Sequence, residues 1–130
     1  MRRKSREIAL QILFQSEFAP QISIPTFIEV YEDSVDNETL KYASFLIEGV
    51  KANQEKIDSS IQSAARNWKL DRMATVDRNL LRIAVFEMKF SGENLKPHMA
   101  INEAIEIAKK FSTEDSASFI NGILDQVGKS

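Results

Sequence analysis

Apolar residues recur every three or four positions along almost the whole chain, and that period constrains the fold more than any other feature of the sequence. Such spacing lays apolar side chains along one side of an α-helix, whereas a strand would alternate them. Glycine and proline, four and three in 130 residues, are too scarce to punctuate many strands. A chain of this length supplies one ordinary core. The expected fold is therefore all-α, a single compact domain over residues 1–130 with about seven helices.

Ser5 reads as an N-cap ahead of the stripe Ile8, Ala9, Ile12 and Leu13, which stops before Pro20. A short second helix runs from Pro25 through Phe27, Ile28 and Tyr31. Asp36 starts a third, with Leu40, Ala43, Ile47 and Val50 inward, and Asn53 caps a fourth that buries Ile57, Ile61, Ala64 and Trp68. The segment from about Ala74 to Phe90 is apolar around most of its circumference, which makes it the expected central helix. A sixth helix follows Pro97, with Ile101, Ala104, Ile105 and Ala108 inward and a Glu106–Lys110 pair. Ser112 and Asp115 resemble a capping box for the seventh, which buries Phe119, Ile120, Ile123, Leu124 and Val127. Gly122 in its middle costs about 1 kcal/mol relative to Ala unless close packing uses it. Phe14, Phe18 and Trp68 read as core aromatics, and Arg82 as a side chain that reaches solvent or pairs with a carboxylate.

Several kinds of chemistry are excluded. The chain has no cysteine, hence no disulfide, thiolate nucleophile or cysteine-ligated metal, which fits a reducing compartment. His98 is the single histidine and has no nucleophile motif beside it, so it reads as a surface residue in a helix's first turn. The four glycines are too far apart for a phosphate loop. Paired acids such as Asp71 and Asp77 read as capping or solvated groups. No catalytic residue, cofactor or metal is expected. The longest apolar run, Ile83-Ala84-Val85-Phe86, is far short of the roughly 20 residues of a membrane span. Glu7, Gln11, Gln15 and Glu17 break up any apolar segment behind the basic start, so the chain reads as cytoplasmic, without a signal peptide and without a membrane partner.

The net charge of −2 conceals a sharp split. Residues 1–6 carry four basic side chains, whereas residues 7–40 carry seven acidic ones and no Lys or Arg. Cations at a helix N-terminus face the positive end of the dipole and repel one another, so something else must explain them. A phosphate backbone would, because the cations lie beside free helix N–H donors. On the charge pattern alone a solvated tail that aids solubility is an equal reading, and a membrane-surface contact is disfavoured because Ile8, Ile12 and Leu13 are needed inside.

The motifs, in order, are Arg2-Arg3-Lys4-Ser5-Arg6 leading into Ala9-Leu10-Gln11-Ile12-Leu13-Phe14-Gln15; Trp68 with Leu70-Asp71; Leu80-Leu81-Arg82-Ile83-Ala84-Val85-Phe86-Glu87; Ile101-Asn102-Glu103-Ala104-Ile105-Glu106-Ile107-Ala108-Lys109; and Phe119-Ile120-Asn121-Gly122-Ile123-Leu124-Asp125. With them the chain resembles the NusB transcription antitermination factors over nearly its whole length. The resemblance implies two small helical bundles. It also implies a factor that joins ribosomal protein NusE to bind single-stranded boxA RNA in nascent ribosomal transcripts, within an antitermination complex on RNA polymerase. By similarity, Arg2, Arg3, Lys4, Arg6, Asp115 and Phe119 would face RNA, and Phe14, Asp71 and Asp77 would face NusE. Phe14 stands where the family often has Tyr, so the aromatic surface is kept without the phenolic hydroxyl. Some related domains are fused to RNA methyltransferases; with 130 residues this chain reads as a stand-alone module, and a homodimer stays open. The rival reading is a helical protein–protein adaptor whose basic start is incidental.

Overall fold

Two stretches of this chain are buried without interruption, residues 5–10 and residues 79–88, and the other helices are arranged around them. The computed structural model describes residues 2–130, and among these every regular element is helical. The helices are α1 (Arg2–Phe18), α2 (Ile24–Glu29), α3 (Asn37–Ala52), α4 (Gln54–Ala64), α5 (Thr75–Val85), α6 (Pro97–Phe111) and α7 (Glu114–Lys129). A 3-10 turn, Leu70–Arg72, precedes α5, and a π-helical segment, Phe86–Phe90, extends it.

The segment expected to be central is the hub. α5 packs on α1, α3, α4, α6 and α7. Helices α1 to α3 form one group and α4 to α7 the other, with one continuous apolar core through both. Ile8, Leu10 and Ile12 of α1 and Leu80, Leu81 and Ile83 of α5 are among its fully buried side chains. Each such burial stabilises by about 1.5–3 kcal/mol before chain entropy is counted.

Local chemistry sets most boundaries. Asp36 caps α3 by accepting from the Thr39 backbone N–H at 2.8 Å, and prolines occupy the first turns of α2 and α6. Three expected caps are otherwise placed. Helix α1 already contains Ser5, whose buried Oγ donates to the Thr39 carbonyl at 2.8 Å and joins α1 to α3. Asn53 turns its amide back, donating from Nδ2 to the Gly49 carbonyl at 2.8 Å, so it closes α3 and gives α4 no side-chain cap. The α7 cap is Thr113, which accepts from the Ser116 N–H; Ser112, one residue earlier, points inward. Glu106 pairs with Lys109 at 3.0 Å, because Lys110 reaches Glu7 across the α1–α6 contact.

The core reading of Phe18 and Trp68 is also corrected: they are 68% and 58% exposed. Helical spacing loses its meaning once the helix ends. Phe18 is the last residue of α1, and Trp68 lies beyond the end of α4 at Ala64.

The glycines of α3 and α7 differ in kind. A Cβ on Gly49 would lie 2.1 Å from Cζ of Phe86, so this glycine lets α3 approach the extension of α5. A Cβ on Gly122 would meet nothing within 4 Å, so no close packing uses it. Gly49→Ala is therefore expected to destabilise by about 1–3 kcal/mol through overpacking, and Gly122→Ala to stabilise by about 1 kcal/mol. Urea midpoints of the two variants should move in opposite directions.

Candidate nucleic-acid interface

The tip of α1 lies against the π-helical segment, the loop after it and the first half of α6. Each of these supplies a carboxylate. Arg2 reaches Glu93 at 3.1 Å and stacks over the Tyr42 ring, 4.3 Å from its centroid. Arg3 makes two bonds to Glu103, 3.1 Å from Nε and 2.7 Å from Nη2. Arg6, 6% exposed, makes a two-pronged pair with Glu87 at 2.7 and 2.9 Å and a third bond to Glu103. Tyr42 donates its hydroxyl to Glu87 as well.

These carboxylates supply an intramolecular reason for cations at a helix start, one that charge patterning along the sequence does not reveal. Lys4 is exposed and, among the described residues, has no carboxylate partner. Burial pulls the Arg6 pKa down, but the hydrogen bonds and charge of Glu87, with Tyr42 and Glu103, more than offset it and hold the guanidinium above its ordinary value. Burial, with the Glu87 hydrogen bond and charge, likewise raises Tyr42, so its hydroxyl stays a donor.

A second cluster surrounds the start of α7. Asp115 is exposed in the first turn, and Phe119, half-buried, meets Trp68 edge-on with ring centroids 5.5 Å apart. Asp77 is 6% exposed, and its two carboxylate oxygens accept from the Ser112 and Ser116 hydroxyls at 3.0 and 2.9 Å. It thereby ties the start of α5 to the α6–α7 junction. Asp77 and Phe119 line the same depression.

A third cluster lies at the other end of α1. Phe14, half-buried, packs on Phe18 at 4.9 Å. Arg78 pairs with Glu17 at 2.6 Å and donates to the main-chain carbonyl of Asp71, whose side chain is exposed. Arg82 pairs with Asp58 at 2.8 and 3.0 Å, the carboxylate reading of that residue.

The proposed RNA-facing residues thus divide between the α1 tip and the α7 start, and the partner-facing ones between the far end of α1 and the interior. Sequence reading missed Tyr42, Glu87, Glu93 and Glu103. They lie 40 to 100 positions from the arginines that they touch, beyond any local pattern.

Comparison with known proteins bears on the fold as a whole. The NusB family model matches residues 3–129. The transcription antitermination protein NusB of Bdellovibrio bacteriovorus is 61% identical over 128 residues, covering 98% of this chain and 95% of that protein. The solved structure of T. maritima NusB superposes with a TM-score of 0.90 at 37% identity, covering all of this chain and 92% of that one. A solved complex of antitermination factors NusB and NusE with double-stranded RNA matches with a TM-score of 0.84 at 27% identity, over 98% of this chain and 96% of that one.

Glu103 offers a test of the tip. The Arg3 hydrogen bond pulls its pKa below the usual 4.5, burial opposes this, and the charges of Arg3 and Arg6 add to the depression. A carboxylate depressed in the folded state contributes stability that is present above its unfolded value and lost as pH falls through the folded one. Glu103→Gln is expected to flatten the loss of stability between about pH 5 and pH 2. Urea midpoints across that range check it, and an unchanged pH profile would show that the pair is not maintained in solution.

Proposed function

The chain belongs to the NusB family, and from that premise we propose that it is a transcription antitermination factor, which pairs with ribosomal protein NusE on the boxA element of nascent ribosomal RNA. In this reading it works in the cytoplasm, supports processive elongation by bacterial RNA polymerase and performs no catalytic step. The observation that carries the reading is the end-to-end likeness to a NusB chain solved together with NusE and RNA. No helix among the described residues is long and apolar enough to cross a membrane.

At the tip, Lys4 meets RNA phosphate directly, and Arg2 and Arg3 exchange carboxylates for phosphates. Both arginine side chains are 50% exposed, so the exchange takes place between solvated partners and involves little desolvation. Arg6 is different. A buried guanidinium with two bonds to Glu87 does not leave without stranding a charge, so its part in RNA binding is to fix the backbone that presents residues 2–4.

At the start of α7, Phe119 offers a ring edge or face to a base, and Asp115 accepts from a base or weakens binding by repelling phosphate. Phe14, with Phe18 beside it, and Asp71 form the surface for NusE. Asp77, placed in the partner-facing set by family likeness, contributes from inside the fold by holding the α6–α7 junction.

The adaptor reading keeps one argument in its favour: three of the four cations at the tip already have carboxylate partners. It requires that RNA be ignored with or without NusE. A gel shift with boxA RNA, with and without NusE and at two salt concentrations, separates the two. The expected result is a salt-sensitive shift that tightens when NusE is added. Replacing Arg2, Arg3 and Lys4 by Gln should reduce the log–log salt slope by up to about 2, at roughly 0.7 per phosphate contact on a single strand. Asp115→Asn should tighten binding. No shift under any condition would select the adaptor.

A further inference from the structure

The tryptophan that the fold leaves outside its core has no structural task that accounts for it. Trp68 is 58% exposed, and its packing partner is the edge-on ring of Phe119. Exposed indole is the informative kind of surface residue, because burying it is favourable and the fold does not do so.

The Trp68–Phe119 pair borders two open depressions. One, of about 910 Å³ between α4 and α7, is lined also by Ser63, Arg66, Ser118 and Gln126, and Gly122 leaves its floor without a side chain. The other, of about 610 Å³, includes Lys69 and Arg72.

The charges here contrast with those at the α1 tip. Arg66, Lys69 and Arg72 are all exposed, and among the described residues none of their charged groups has a carboxylate, carbonyl or ring partner. Three unpartnered cations within seven residues thus bracket an indole that is more than half exposed. The acid lining the second depression, Asp77, is already occupied by two serine hydroxyls; Asp71, beside Arg72 in the chain, lines a different depression with Glu17 and Arg78.

We propose that the α4–α5 connection is a second RNA contact, in which an unpaired base stacks on Trp68 while Arg66, Lys69 and Arg72 meet the flanking phosphates. The inference rests on the reading that Phe119 faces RNA, since the strand reaches Trp68 directly from that ring. Aromatic platforms interleaved with cations hold single strands without regard to sequence. The polar lining from Ser63, Ser118 and Gln126 suits base edges and sugars, whereas an amphipathic peptide would need an apolar floor. The contact therefore adds affinity and length of footprint, with little base preference.

Trp68 is the chain's single tryptophan, which makes the test direct. The full chain, with a tryptophan-free NusE, is titrated with a dye-labelled single-stranded RNA that carries boxA and a short extension on each side. Dye anisotropy reports binding, and indole emission, followed in parallel with unlabelled RNA, reports the site. Emission is expected to fall with the same midpoint as the anisotropy rise. Trp68→Ala should weaken binding roughly tenfold and Trp68→Phe much less. Replacing Arg66, Lys69 and Arg72 by Gln should lower the salt slope by about 2. RNA that binds while emission stays constant, or that binds both variants as it binds the parent, overturns the second contact and leaves the antitermination reading intact. Emission that responds to NusE alone and not to RNA assigns the surface to protein and also overturns it. Absence of any anisotropy change overturns both readings.

Discussion

The pairing of Arg6 with Glu87 is the interaction on which the rest of the structure depends. Helix α1 is covered over residues 5–10, so its polar side chains there have to find partners. Each does: Ser5 on the Thr39 carbonyl, Arg6 on Glu87 and Glu103, Glu7 on Lys110. The covered stretch of α5 and its extension follows the same rule, with Asn79 on Glu17, Arg82 on Asp58 and Glu87 on Arg6 and Tyr42. Among the described residues no buried side-chain nitrogen or oxygen is left without a partner. Arg6 and Glu87 bind the two enclosed helices to each other. Loss of either would strand a charge, a defect that costs about 3–5 kcal/mol in proteins generally.

That internal demand shapes the surface. The tip of α1 presents cations to solvent, yet its field is moderated by Glu93 and Glu103, which lie within hydrogen-bond reach of Arg2 and Arg3. On the proposed reading, an incoming phosphate would compete with carboxylates already in place, and affinity at the tip would be a difference between two similar ion pairs, moderate and sensitive to salt. The unpartnered cations around Trp68 present no such competition, so the two ends of the proposed footprint differ in electrostatic character.

Much of the fold was legible in the sequence because it is written locally. The period of three and four gave the helices, and the all-round apolar segment gave the hub. Asp36, Pro25 and Pro97 marked true boundaries by their own backbone chemistry. Ser5, Asn53 and Ser112 misled for a shared reason: a short polar side chain near a helix end can serve the helix before it, the helix after it or a distant element, and only packing chooses. Trp68 misled because spacing was extended past the point where the helix stops. The family was legible through the order of its motifs, whereas the electrostatics of the candidate tip were not. The cations at residues 2, 3 and 6 are neighbours in sequence, while the carboxylates that engage them sit at 87, 93 and 103, brought there by the fold.

Glu87 also serves through its main chain, since its carbonyl accepts from the Leu95 N–H at 2.8 Å and the Ser91 hydroxyl at 2.9 Å. One residue thereby anchors the leading helix and shapes the bend into α6. Mutational freedom along the first turns of α1 is correspondingly uneven. Positions 2 to 4, whose side chains reach solvent, are free to change, whereas position 6 is locked to a residue with two unrelated duties. Diversity among relatives of this chain should concentrate on the outer rim of the tip and vanish at its root.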